Sequence, residues 1–261
     1  MTKGKDILVI DDEQVIRDAV VKICALDGFD TDTVESGRAG LELCEKNRYR
    51  LIVCDIMMQD VDGFQFLGEM RKRKIATPVI MATGYATVEN AVKSLYAGAI
   101  DFIPKPFTTD ELIAAVQRGL RHTELLASAA AGDPLVYVTS PATYYRLGYI
   151  SWVMMEREGT VLVGVTDLFL KTIESVRGIE LLSAGDEVVQ GNSCAKITCG
   201  KERVNSVMCP VSGKIMEVNG KVTADPTVIE KDPYFEGWLY RILPEHLEYD
   251  LKNLISCSSD R

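Results

Sequence analysis

The stretch ILVIDDE, residues 7–13, decides the fold of the first half of this chain. Its four consecutive apolar residues, Ile7–Ile10, are followed directly by three acids. A short, continuous apolar run of this kind is typical of a strand in a parallel sheet that is buried on both faces. The apolar residues that come next have helical spacing and stop before Gly28, which favours a helix that ends there.

Three further segments repeat this pattern of a buried strand followed by polar residues. They are residues 51–54 (LIVC), 78–82 (PVIMA) and 99–103 (AIDFI), with helical patterns between them. A last helix is predicted from about Thr109 to Leu126, with Thr108 or Thr109 as its cap. Strands that alternate with helices predict an α/β fold with a doubly wound parallel sheet, which binds ligands outside the carboxyl ends of its strands. The residues just past the predicted strand ends include Asp11, Asp12, Asp55, Thr83 and Lys105.

These five polar side chains are predicted to form one site. Three neighbouring carboxylates, those of Asp11, Asp12 and Asp55, would raise one another's pKa values, and a hard divalent cation relieves that repulsion. Mg²⁺ suits the site because it takes one or two carboxylates and keeps waters that a phosphate can replace. One carboxylate can then act as a nucleophile, while Lys105 supplies positive charge and Thr83 supplies a hydroxyl donor for phosphoryl oxygens.

Composition argues against several classes of partner. The chain has 261 residues and a net charge of −9, and neither half is basic, which disfavours direct binding of DNA or RNA. The apolar runs are too short for a membrane span, which needs roughly 20 residues, and the first residues do not look like a secretory signal. The seven cysteines are odd in number and none forms a Cys-x-x-Cys motif, so we expect a reduced, cytoplasmic protein.

The sequence changes in character after Leu126. Residues 127–134 (ASAAAGDP) are mostly small and predict a linker. From Ile150 onward, short Val-rich segments separated by glycines predict an all-β module, and apolar residues at helical spacing after Pro244 predict a helical tail. The predicted organisation is a first domain at residues 1–126, a linker at 127–145 and a β domain at 146–261.

Residues 5 to about 124 resemble a two-component response-regulator receiver domain. The resemblance rests on Asp11-Asp12-Glu13, on Asp55 within DIMMQDVDG, on ATGY around Thr83, and on GAIDFIPKPF, which contains Lys105. It implies a five-stranded doubly wound parallel sheet. Two positions depart from the family pattern, because Gln59 stands where the family usually has Pro and Phe102 where Tyr is commoner.

That resemblance also implies a role for each site residue. Asp55 would accept a phosphoryl group from a histidine kinase. Asp12, Asp55 and the backbone carbonyl of Met57 would ligate Mg²⁺, with Asp11 contributing through water. Lys105 would contact the phosphoryl group, Thr83 would move to bond it, and Phe102 would swing inward as the switch aromatic.

Residues 149 to about 251 resemble the H protein of the glycine cleavage system, which has a lipoyl-carrier fold. The resemblance rests on GDEV from Gly185, on CPVSGK from Cys209 and above all on EKDPYFEGWL from Glu230. It implies a mostly-β barrel-sandwich hybrid made of two sheets, here followed by the predicted C-terminal helix. In that family a lysine at a hairpin tip carries lipoate, within a pattern like ESVKAxSDxxAP.

The lipoyl position falls on different residues according to how it is counted. Counting forward from Gly185 places it on Lys201, whereas counting back from Pro210 places it on Glu202, so the hairpin is predicted to be one residue longer than in the family. The flanking Glu-Ser of the family pattern is replaced by Thr198-Cys199. Both interpretations of Lys201 stay open here, as a lipoate carrier or as an exposed turn lysine.

Three functions follow from these patterns. The first, which we favour, is a non-enzymatic signalling protein whose β domain binds an unknown downstream protein. The second is a phosphorylation-gated lipoyl carrier that uses Lys201. The third is an adaptor that forms a homodimer on phosphorylation.

Overall fold

The computed structural model describes residues 5–130 (the last two by backbone alone), 138, 141, 143–200 and 202–257. Most residues before 133 form one compact unit, and most residues after it form a second. Within the described residues, no helix combines the length and the apolar composition that crossing a bilayer requires.

A parallel sheet of five strands, in the order β2-β1-β3-β4-β5, forms the centre of the first unit. The strands are β1 (Ile7–Ile10), β2 (Thr31–Val34), β3 (Leu51–Asp55), β4 (Val79–Thr83) and β5 (Asp101–Pro104). The helices are α1 (Gln14–Leu26), α2 (Gly37–Lys46), α3 (Gly63–Lys72), α4 (Val88–Tyr96) and α5 (Thr109–Ala130). All neighbouring strand pairs are parallel. The predicted doubly wound five-stranded sheet is confirmed.

The central strands are apolar along most of their length because both of their faces are covered. Every residue of β1, β3 and β4 is buried. On one face, Val20 of α1 and Leu112 of α5 belong to the same core cluster as Val9 and Val53 of the sheet. Since such burial stabilises each large apolar side chain by roughly 1.5–3 kcal/mol, the strand ends that carry the acids are held by a rigid layer.

Strand β2 has no counterpart in the apolar runs of the sequence. Its residues are Thr-Asp-Thr-Val, and none of them is fully buried. It pairs only with β1, at the edge of the sheet. Edge strands need no continuous apolar run, which explains why the pattern of buried runs does not find it.

Helix α5 begins where one of the two predicted caps places it. The backbone N of Glu111 donates to Thr108 Oγ1 at 3.2 Å, and the backbone N of Thr108 donates to Glu111 Oε2 at 2.8 Å, so the two residues form a capping box. The helix ends at Ala130, beyond the predicted end at Leu126. The Ala-rich start of the predicted linker continues the helix because alanine has the highest helix propensity.

Two antiparallel sheets make up the second unit, one of seven strands in the order β10-β13-β14-β8-β7-β6-β15 and one of three in the order β12-β11-β9. The strands are β6 (Tyr144–Leu147), β7 (Ser151–Met155), β8 (Val161–Val165), β9 (Val176–Leu181), β10 (Glu187–Val188), β11 (Ser193–Cys199), β12 (Arg203–Met208), β13 (Gly213–Val218), β14 (Tyr240–Pro244) and β15 (Ile255–Cys257). The short helices are α6 (Asp167–Thr172), α7 (Gly220–Ala224), α8 (Val228–Lys231) and α9 (Leu247–Leu251). The predicted mostly-β domain of two sheets is confirmed.

An aromatic cluster of Tyr144, Trp152 and Tyr234 is buried on the seven-stranded sheet. The ring centroid of Tyr234 lies 5.6 Å from that of Tyr144 and 5.6 Å from that of Trp152. The indole N–H of Trp152 donates to the carbonyl of Val165 at 3.0 Å. Gly164 leaves the room for this ring, because a Cβ there would lie 2.5 Å from the indole.

The tail contains less helix than its apolar spacing predicts. Helix α9 ends at Leu251, and Ile255 belongs to strand β15, where it pairs with Arg146 of β6. Asp250 anchors the short helix, because its carboxylate accepts a hydrogen bond from the backbone N of Ser212 at 2.7 Å. Burial raises the pKa of Asp250 above its ordinary value, although the Ser212 N–H opposes that shift.

The predicted linker at 127–145 overlaps with regular structure at both ends. Helix α5 includes residues 127–130, and strand β6 begins at Tyr144. Residues 131–137, 139, 140 and 142 lie outside the described residues. The domain boundaries stay a prediction.

Candidate functional site

The three predicted carboxylates meet at the carboxyl ends of β1 and β3. Asp11, Asp12 and Asp55 each offer an oxygen, and these oxygens all lie within 4.8 Å of one another. Asp11 and Asp55 are 3% and 4% exposed, whereas Asp12 faces solvent. Parallel strands with adjacent registers bring the residues together, because Ile10 of β1 pairs with Cys54 of β3. These three carboxylates therefore lie together where the strand-end argument expects them, and their role stays a prediction.

Lys105 lies among these carboxylates. Its Nζ is 2.6 Å from Asp11 Oδ2 and 3.0 Å from Asp55 Oδ2, and 3.7 Å from Glu13 Oε1. Only 6% of the Lys105 side chain is exposed. Its backbone N donates to the carbonyl of Thr83 at 2.8 Å, which ties the segment after β5 to the end of β4.

Burial and ion pairing shift the pKa of Asp11, and also that of Lys105, in opposite directions. Burial raises the pKa of Asp11 above 3.8, and the nearby charge of Asp55 adds to the increase, although Lys105 and the Glu13 backbone N–H oppose it. For Lys105, burial lowers the pKa, but hydrogen bonds and charges from Asp11 and Asp55 outweigh burial and leave the pKa above 10.5. The lysine is therefore protonated throughout the physiological range.

The loop after Asp55 is held close to the phosphoacceptor candidate. The backbone N of Met57 donates to Asp55 Oδ1 at 3.2 Å, and the backbone N of Gly63 donates to the carbonyl of Ile56 at 2.9 Å. A Cβ at Gly63 would lie 2.5 Å from the carbonyl oxygen of Asp55, so only glycine allows this approach. Asp62 and Gln65 form a capping box that starts α3 directly after the loop.

Thr83 and Phe102 lie on the two neighbouring strands β4 and β5. Thr83 is fully buried, and its Oγ1 accepts a hydrogen bond from the backbone N of Tyr85 at 3.2 Å. Phe102 is 7% exposed and pairs with Met81 across the two strands. Thr83 thus ends the strand next to that of Asp55, whereas Phe102 lies one strand further away and within β5. Their roles as a switch stay a prediction.

The donor set fits Mg²⁺. The oxygens of Asp11, Asp12 and Asp55 are hard ligands, two of them buried and one open to solvent, and Mg²⁺ favours one or two carboxylates together with water. Asp12 and Asp55, with the carbonyl of Met57, would hold the ion. Bound Mg²⁺ would supply positive charge for phosphoryl oxygens.

We expect the affinity for Mg²⁺ to fall on acidification. The fall should begin at a higher pH than it would if all the aspartates of the site had ordinary pKa values. Mg²⁺ and the proton compete for the same carboxylates, and the pKa of Asp11 lies above its usual value of 3.8 because of burial. A raised folded-state pKa also means that ionised Asp11 costs stability at neutral pH, so Mg²⁺ should stabilise the protein most there. Calorimetric Mg²⁺ titrations at falling pH measure this. Asp11→Asn should shift the fall towards lower pH, and an unchanged profile in that variant would contradict the expectation.

The predicted lipoyl position falls in the sequence between β11 and β12, which form a hairpin. The last cross-strand pair is Cys199 with Arg203, so Gly200 and Glu202 lie at the tip. Lys201 itself lies outside the described residues. Gly200 and Glu202 flank it with φ angles of 45° and 62°, both in the left-handed region.

The described flanks do not fit the lipoyl pattern. A Cβ at Gly200 would collide with the Glu174 carboxylate, so a valine here, as in the family pattern, would require that carboxylate to move. Glu174 also pairs with Arg203 at 3.2 Å, which holds it against the tip. The neighbouring thiol of Cys199 accepts a hydrogen bond from Asn205 at 2.8 Å. Two carboxylates, Glu174 and Glu202, therefore lie at the tip, where the family pattern has a serine, a valine and an alanine.

Two residues close to the acidic site were not found by sequence reasoning. Arg17 donates to the carbonyl of Asp11, and Gly63 packs against the carbonyl of Asp55. Both act on backbone atoms, and a motif of side-chain types carries no signal for such contacts.

Two family models match the chain. Residues 7–117 match the response regulator receiver domain, and residues 143–259 match the glycine cleavage H-protein. Regulatory protein AtoC of Escherichia coli strain K12 is 42% identical over 121 residues, which are 46% of this chain and 26% of that protein. The match covers 26% of the length of AtoC and 54% of the length of transcriptional regulatory protein HprR from the same strain, so this chain spans at most about half of these curated relatives.

Solved structures resemble both halves. A CheY-like response regulator receiver domain protein from Methanospirillum hungatei JF-1 is 31% identical with a TM-score of 0.45, and the match covers 48% of this chain and 99% of that one. A glycine cleavage system H protein from Mycobacterium marinum is 29% identical with a TM-score of 0.37, and the match covers 40% of this chain and 85% of that one. On the two family models, the chain joins a response regulator receiver domain, at residues 7–117, to a domain of the glycine cleavage H-protein family, at residues 143–259.

Proposed function

We propose that this chain is a response regulator of a two-component phosphorelay in which Asp55 accepts a phosphoryl group from a histidine kinase. The observation that supports this most is the position of the Asp55 carboxylate. It is buried at the carboxyl end of β3, within 3.0 Å of the Lys105 ammonium and beside Asp11 and Asp12. The chain is then a signalling protein whose only chemistry is its own phosphorylation and dephosphorylation.

The transfer assigns a task to each side chain. A carboxylate oxygen of Asp55 forms the new O–P bond as the P–N bond of the kinase phosphohistidine breaks, and the imidazole nitrogen keeps the electron pair. Lys105 stays protonated and donates to a phosphoryl oxygen in place of its present bond to Asp55 Oδ2. Asp11 keeps Lys105 in position through its 2.6 Å contact.

The signal then passes through β4 and β5. Thr83 gives up the hydrogen bond that its Oγ1 accepts from Tyr85 and donates to the phosphoryl group. Phe102, on the adjacent strand, moves into the space that this leaves. The downstream partner is a protein that binds the H-protein-like domain, and homodimer formation on phosphorylation is the alternative output.

Incubation with acetyl phosphate and Mg²⁺ tests the acceptor. We expect the intact mass to show one phosphoryl group, mapped to Asp55 by peptide analysis after borohydride reduction. Chelation of Mg²⁺ should prevent the labelling. Labelling that is independent of Mg²⁺, or that maps to another residue, would refute the proposal.

We propose that the second domain serves as an interaction module without lipoate. When the chain is expressed with a lipoyl ligase and free lipoate, we expect Lys201 to stay unmodified, because Glu174 and Glu202 flank the hairpin tip. Intact mass and a peptide map of residues 193–208 measure this, with a lipoylated H protein in the same cells as the positive control. A lipoyl group on Lys201 would instead make the chain a phosphorylation-gated carrier.

A further inference from the structure

The loop between β1 and α1 carries two of the three carboxylates but lacks the usual means of fixing a helix start. Helix α1 begins at Gln14, and its N-cap residue, Glu13, makes no side-chain capping hydrogen bond. The backbone N of Glu13 instead donates to Asp11 Oδ1 at 3.0 Å. The backbone N of Asp11 donates to the carbonyl of Val34 at 3.1 Å, which fixes the end of β1 against β2 but does not connect it with the start of α1.

Arg17 makes that connection from one turn into α1. Its Nη1 donates to the carbonyl oxygen of Asp11 at 2.5 Å, and its Nη2 donates to Gln14 Oε1. The guanidinium thus links the end of β1 with the start of α1. Arg17 is only 7% exposed, and burying a charged group is costly unless it is well hydrogen-bonded.

The partners of Arg17 are neutral oxygens. Among the ion pairs of the described residues, Lys105 contacts Asp11, Asp55 and Glu13, while Arg17 joins none of these carboxylates. The guanidinium of Arg17 has several N–H donors in a fixed planar arrangement, so it can hold the Asp11 carbonyl oxygen and Gln14 Oε1 at a fixed separation.

We propose that Arg17 is a positioning residue for the Mg²⁺ site, which holds the Asp11–Asp12 backbone so that the acidic oxygens converge on the ion. This inference rests on the proposed function, because it takes the acidic cluster as the Mg²⁺ site. Replacing a residue that orients metal ligands without binding the metal itself typically changes metal affinity by about 10–100-fold.

The sign of the effect separates positioning from simple charge. If Arg17 acted only through its positive charge, its removal would strengthen Mg²⁺ binding, because a cation near the ion would be lost. If it acts by positioning, removal weakens binding although the site becomes more negative. Lysine at this position keeps the charge but loses the fork of donors, so it should also weaken binding.

Calorimetric titration of Mg²⁺ into the full-length protein provides the test. Arg17→Gln and Arg17→Lys should each weaken binding about tenfold or more. Lys22→Gln is the matched control, since it removes one positive charge from the exposed side of the same helix, and its Kd should equal that of the wild type within experimental error. An unchanged or lower Kd in Arg17→Gln would overturn the inference.

A second variant keeps the test decisive if the Arg17 variants do not fold. Gln14→Ala removes an exposed acceptor of Arg17, so the fold should be preserved while binding weakens by about threefold. If Gln14→Ala binds Mg²⁺ like the wild type, the positioning role of Arg17 is refuted. Loss of the proposed function looks different, because then the wild type itself would neither bind Mg²⁺ nor be labelled on Asp55.

Discussion

Asp55→Asn is expected to reduce phosphoryl incorporation to background, a loss of at least about 100-fold. The amide is nearly isosteric with the carboxylate, and its single oxygen can still accept one of the two hydrogen bonds that Met57 N and Lys105 Nζ donate to Asp55. It lacks the anionic oxygen that forms the O–P bond. Labelling with acetyl phosphate and Mg²⁺, followed by intact mass, measures the loss.

Asp60→Asn is the matched control for this experiment. Asp60 lies in the same loop but is exposed, so its replacement should leave labelling close to the wild-type level. Full labelling of Asp55→Asn would remove Asp55 from the acceptor role. A phosphoryl group on Asp11 or Asp12 in that variant would show that the cluster, and not one residue, supplies the nucleophile.

Lys105→Met is expected to destabilise the Mg²⁺-free first unit by about 3 kcal/mol, because it leaves buried carboxylates without their partner. The Lys105 side chain and those of Asp11 and Asp55 are all at most 6% exposed, so water cannot replace the ion pair easily. Mg²⁺ should restore most of the lost stability and should bind at least as tightly as in the wild type, since a competing cation is gone. Thermal unfolding with and without Mg²⁺ measures both effects.

The same variant should uncouple phosphorylation from the change in β4 and β5. Hydrogen exchange of peptides that cover Thr83 and Phe102 should then be the same before and after labelling. Lys72→Met, at an exposed position, is the control and should keep the wild-type response. A normal phosphorylation-dependent exchange pattern in Lys105→Met would count against its role in the switch.

The acidic site was predictable because topology alone brings its residues together. Each of Asp11, Asp55, Thr83 and Lys105 lies at or directly after the carboxyl end of a buried strand, and buried parallel strands leave a clear apolar signal. Thr108 as a helix cap was predictable for a similar local reason, since its partner Glu111 is three residues away.

Contacts made between distant segments were not predictable in this way. Glu174 reaches the hairpin tip from a loop 29 residues before its partner Arg203. Strand β15 pairs with β6 at the other end of its unit, and the apolar spacing of Leu251, Leu254 and Ile255 fits a helix equally well. Tertiary pairing decided between the two, and a local pattern carries no information on that choice.

The pairing of β15 with β6 has a consequence for how the second unit can be used. Cys257, near the end of its described chain, lies opposite Tyr144, near its beginning, so the entering and leaving strands are neighbours in one sheet. Antiparallel partners of this kind have Cα atoms only about 4.5–5.5 Å apart. A domain with adjacent ends can be spliced into or appended to another protein without stretching its surroundings. The second unit thus has neighbouring first and last strands, a geometry that suits its fusion here to a domain of unrelated fold.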